Sequence, residues 1–79
     1  METREEVSDF IRNTLISLKQ NIEKKVANQV MVDSHLISTT FGEDYGHLLS
    51  SKERGEFRQE YRDAMSKGGY DLIKQLNSK

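Results

Sequence analysis

The residues best suited to chemistry or recognition lie between positions 53 and 65. Arg54, Arg58 and Arg62 stand at i, i+4 and i+8, which on a helix stacks them in one row. Guanidinium groups so spaced make bidentate contacts with carboxylates or phosphates. Glu53, Glu56, Glu60 and Asp63 fall on the opposite edge, and Phe57, Tyr61, Ala64 and Met65 form a narrow apolar stripe between. The helix is thus divided lengthwise into basic, apolar and acidic lanes. In the plainest use, the stripe packs on the rest of the chain and both charged lanes are solvated. In a second use, the lanes form an interface. A partner, or a second copy running antiparallel, sets acid against base and buries Phe57, Tyr61 and Met65. In a third, the arginine row follows a phosphate backbone, although the acidic lane beside it opposes that use.

Catalytic and metal chemistry find little support. Asp33-Ser34-His35 contains the residue types of a hydrolytic triad, but sequence neighbours on a short segment cannot adopt a geometry that the fold must assemble. Glu43 and His47 are four apart, with Asp44 adjacent, and a helical turn there would bring Glu43 and His47 together. Gly42 and Gly46 disfavour that turn, and no third ligand follows at metal-site spacing. With two His and no Cys, no nucleophile–base–orienter set can be assembled. Neither an enzyme, a cofactor nor a metal is expected. The stretch Phe41–Gly46 is aromatic, acidic and glycine-punctuated, and as a loop tip it would present Tyr45 to a partner.

The elements that must position these residues read as helices. From residue 3 to about 29, Val7, Phe10, Ile11, Leu15, Leu18, Ile22 and Val26 recur at threes and fours, placing them on one face of a long helix. Thr3 and Glu6 have capping-box spacing. Asn13, Gln20, Asn21, Asn28 and Gln29 make this stretch amide-rich, and Asn21 and Asn28 border the stripe, where an amide in a helix seam sets register. Residues 30–41 read two ways. Val30, Val32, Ile37, Thr39 and Thr40 are β-branched and suit a strand, while Val26, Val30, Ile37 and Phe41 extend the helical stripe. We favour a helix fading into an irregular segment. Residues 42–50 form a loop. Ser50 and Glu53 open a medium helix over 51–67, in which Gly55 costs about 1 kcal/mol relative to Ala. Gly68-Gly69 ends it, and a short helix over 70–77 offers Leu72, Ile73 and Leu76 to the core. The expected fold is all-α: one domain over 1–79, a small bundle of a long, a medium and a short helix.

Composition narrows the function. The 79 residues carry 12 Lys and Arg against 13 Asp and Glu, a net charge of −1. That balance gives no general attraction to nucleic acid or an anionic membrane. The longest apolar run, Val30-Met31-Val32, is far too short to span a bilayer. Without a targeting segment, the expected location is cytoplasmic. Apolar residues are 34% of the chain, a thin supply for so small a domain. The expectation is a protein-binding module, homodimeric, acting stoichiometrically as adaptor, regulator or inhibitor. The alternative is a nucleic-acid or polyphosphate binder using the arginine row.

Overall fold

A computed structural model describes residues 3–41 and 46–78. Helix α1 spans Arg4–Glu23, α2 Ala27–Thr39, α3 Ser51–Ala64 and α4 Tyr70–Asn77. A 3₁₀ turn at Gly46–Leu48 precedes α3, and a π turn at Met65–Gly69 joins α3 to α4. No strand occurs among the described residues. The all-α bundle expected from the periodicity is therefore the observed fold.

One boundary differs. The helix expected over 3–29 stops at Glu23, and residues 30–41 are neither extended nor irregular but helical through Thr39. The break is a helix-ending motif of paired backbone bonds. Val26 N–H donates to the Asn21 carbonyl at 2.9 Å and Lys25 N–H to the Ile22 carbonyl at 3.1 Å. Lys25 takes φ 60°, the left-handed conformation that glycine usually supplies at this position. Two helices joined by so short a turn must fold back on one another, and α1 and α2 form an antiparallel hairpin.

Both predicted N-caps form. Glu6 N–H donates to Thr3 Oγ1 at 3.2 Å. Ser50 and Glu53 make the reciprocal capping box that opens α3. Gly68 sits at φ 142° inside the π turn, which turns the chain and sends α4 back against α2.

α1 is the central element, packed against both α2 and α3. Its Val7, Ile11, Leu15 and Leu18 are buried with Val30 and Ile37 of α2, Leu49, Phe57, Ala64, Met65 and Leu72. Each large side chain of this set contributes about 1.5–3 kcal/mol by leaving water. Val26, expected on the same face, is 43% exposed because the helix ends before reaching it. Of the three core residues expected in α4, Leu72 is buried while Ile73 and Leu76 are half-buried.

A polar seam sets the register of the hairpin. Asp33 is only 3% exposed, and its carboxylate accepts from Ser17 Oγ at 2.9 Å, Asn21 Nδ2 at 3.3 Å and Gln29 Nε2 at 3.0 Å. Asn21 thus occupies the seam its spacing suggested. Asn28 is exposed instead. A carboxylate fixed by three donors from both helices resists any slip of one along the other.

Candidate functional site

Two of the four carboxylates in the acidic lane of α3 are paired with α1. Arg4 Nε meets Glu53 Oε1 at 2.6 Å, and Lys19 Nζ meets Glu60 Oε2 at 3.4 Å. Between them the Arg12 guanidinium lies 6.0 Å from the Phe57 ring centre, within cation–π range. The Arg4 hydrogen bond, aided by the Ser50 backbone and hydroxyl, outweighs desolvation and holds the Glu53 carboxyl below its ordinary pKa. α1 therefore engages Glu53 and Glu60 of the acidic edge, while Arg58 and Arg62 of the basic edge are exposed. Among the described residues, no carboxylate lies within 4.0 Å of Arg54, Arg58 or Arg62.

Arg58 and Arg62 line an open groove of about 300 Å³, together with Ile37, Ser38, Phe41, Tyr61 and Tyr70. Its lining is mixed, with apolar and aromatic surface from Ile37, Phe41, Tyr61 and Tyr70 beside the polar groups of Ser38 and the two arginines. Phe41 is half-buried, its ring centre 6.5 Å from that of Phe57. Tyr61 is half-buried, and its hydroxyl is hydrogen-bonded to that of Ser34 on α2, which fixes the ring. Tyr70, the first residue of α4, is 54% exposed on the rim. Two fixed-charge forks beside aromatic side chains suit a ligand with a carboxylate and an adjoining apolar group.

The fold separates the residues expected to form the interface. Arg58, Tyr61 and Arg62 converge on the groove. Phe57 and Met65, 7% and 1% exposed, are core residues and offer no partner surface. The apolar lane faces inward because a chain with so few apolar residues must use its bulky ones to fold. Arg54 is half-buried and does not line the groove. Tyr45 lies outside the described residues, as do Glu43 and Asp44. An interface that sets basic against acidic lanes of two copies loses Glu53 and Glu60 to the internal pairs. Sequence reasoning missed Tyr70, whose only signal is its place directly after Gly68-Gly69 at the start of a helix.

The other candidates disperse. Asp33 faces α1, Ser34 bonds Tyr61 and His35 is exposed, so the three point apart. Among the described residues, no group of three or more His, Asp or Glu could hold a metal ion, and no helix is long and apolar enough to cross a membrane. Another open concavity, about 750 Å³, lies where α1 and α3 begin. Arg4, Arg12, Asp9 and Glu53 there neutralise one another in pairs.

The chain matches no protein-family model, no curated protein and no solved structure.

Proposed function

We propose that this protein is a non-enzymatic binding module, an adaptor, regulator or inhibitor that docks stoichiometrically on a larger protein. The groove between α2, α3 and α4 receives a segment bearing a carboxylate next to an apolar side chain. The observation that carries this reading is that Arg58 and Arg62, exposed and without a carboxylate partner among the described residues, share one groove with Phe41, Tyr61 and Tyr70. Arginine and tyrosine dominate binding hot spots because they combine directed polar contacts with large apolar area.

The test compares affinity capture from cells of the source organism with three baits. These are the native chain, Arg58→Glu/Arg62→Glu, and a control reversing Lys52 and Lys67, which are also exposed. The reading predicts a stoichiometric partner retained by the native and control baits and lost by the arginine reversal. An identical protein profile for all three would refute it. The exposed arginines also favour a second reading, contact with nucleic acid or another polyphosphate. Two guanidinium groups without Arg54 beside them give a short track, so the reading requires retention on heparin with a steep loss as salt rises.

A further inference from the structure

α2 carries a second surface, on the side away from the core. Met31, Val32 and Leu36 are 44%, 45% and 39% exposed, with exposed His35 among them, and a shallow depression of about 320 Å³ lies over these four residues. Large side chains exposed together on one helix face are the informative kind of surface apolarity. The face continues onto α1. Ser17 reaches Asp33 across the seam, so Asn13 and Gln20, four before and three after it, lie on the α2 side of α1. Both are exposed. Arg12 and Lys19 point the other way, toward α3.

The α2 face therefore holds apolar side chains and one imidazole and no exposed Lys, Arg, Asp or Glu, since the one charged residue of α2, Asp33, is buried. On α1 the neutral amides Asn13 and Gln20 adjoin it, with exposed Glu6 and Asp9 beyond them toward one end and Lys24 toward the other. We infer that this face is a self-association surface, and that its occupant is a second copy of this chain packed antiparallel about a two-fold axis near Val32 and His35. A neutral face offers nothing to a charged partner. Against its own copy it brings no like charges together, and amides that both donate and accept pair with themselves. The ends of the face supply the direction. On α1, exposed Glu6 lies toward one end and exposed Lys24 toward the other. A two-fold axis that reverses the helices turns Glu6 ends toward Lys24 ends, whereas a parallel arrangement opposes like charges. A closed two-fold contact of this kind also ends at the dimer.

A small specific dimer buries about 600 Å² on each copy, more than Met31, Val32, His35 and Leu36 alone expose, so the contact has to take in the α1 amides beside them. The surface is distinct from the arginine groove, and the inference does not depend on the groove.

Sedimentation velocity of the full chain, from about 1 to 500 µM, tests it together with single cysteines, clean probes because the chain has none of its own. The expected result is a monomer–dimer equilibrium whose dissociation constant rises at least tenfold in Val32→Glu, with unchanged helical circular dichroism. Val32→Cys, next to the axis, oxidises to a disulfide-linked dimer, while Ser66→Cys, on an exposed turn elsewhere, does not. A monomer at every concentration would overturn the inference. So would a dimer indifferent to Val32→Glu, or equal cross-linking at both cysteines.

Discussion

Lys25→Gly has opposite signs in a hairpin and in a continuous helix. In the structure Lys25 holds φ 60°, a conformation costing an L-residue roughly 1–2 kcal/mol. Glycine removes that cost but returns about 0.5–1 kcal/mol through the greater freedom of its unfolded chain. The net is a stabilisation of about 0.5–1 kcal/mol. For a domain of this size that is a rise in Tm of about 3–6 °C. Were residues 3–29 one helix, the same change would place glycine in a helix interior and cost about 0.5–1 kcal/mol, lowering Tm. Lys24→Gly is the internal control. Lys24 holds φ −80° and ψ −6°, relieves nothing on replacement and lowers Tm. Melting is followed by circular dichroism at one fixed protein concentration, because self-association shifts Tm by mass action. A fall in Tm for Lys25→Gly, or equal effects at the two lysines, would refute the placement of the break.

Asp33→Ala removes the acceptor of three side-chain donors and lowers stability by about 2–3 kcal/mol in urea titration. Asp33→Asn, which keeps one carbonyl oxygen, costs less, and equal losses would argue against the seam. The glycines divide by site. Gly55 has open space around it, so Gly55→Ala stabilises by about 1 kcal/mol. Gly68→Ala lowers Tm, because φ is 142° there and the new methyl comes within 3.3 Å of Ile22 Cγ2. Glu53 links stability to pH. Its folded pKa lies below the ordinary value of 4.5. Its contribution is therefore present above that value and is lost as pH falls through the folded one. Arg4→Ala removes the largest cause, so Tm of the native chain should exceed that of the variant at pH 7, with the gap closing as acid protonates Glu53. A gap independent of pH would show that the ion pair is not its source.

Much of the fold was legible because it rests on local rules. The α1 stripe, the Thr3 cap, the Ser50–Glu53 box and the turn at Gly68-Gly69 each arise within a few residues and match the structure. The break at Lys24–Val26 was hidden. Its left-handed residue is a lysine rather than a glycine, and Val26 and Val30 happen to continue the apolar spacing across it. The hairpin is fixed by Asp33, whose three partners are contributed by both helices, information that no window along the chain contains. The groove was legible in part. The Arg58 and Arg62 row follows from spacing alone, but which carboxylates of α3 are paired depends on Arg4 and Lys19 reaching Glu53 and Glu60, 49 and 41 residues away. Tyr70 enters only through the turn that brings α4 back.

The central claim is that the arginine groove docks another protein, and a photo-crosslinking residue at Tyr70 tests it at the rim itself. In cells of the source organism, the substituted chain should yield one discrete adduct with a different protein, and that adduct should vanish on Arg58→Glu/Arg62→Glu. The same crosslinker at exposed Asn77, at the end of α4, should yield none. Equal labelling at the two positions, or an adduct indifferent to the charge reversal, would contradict the claim.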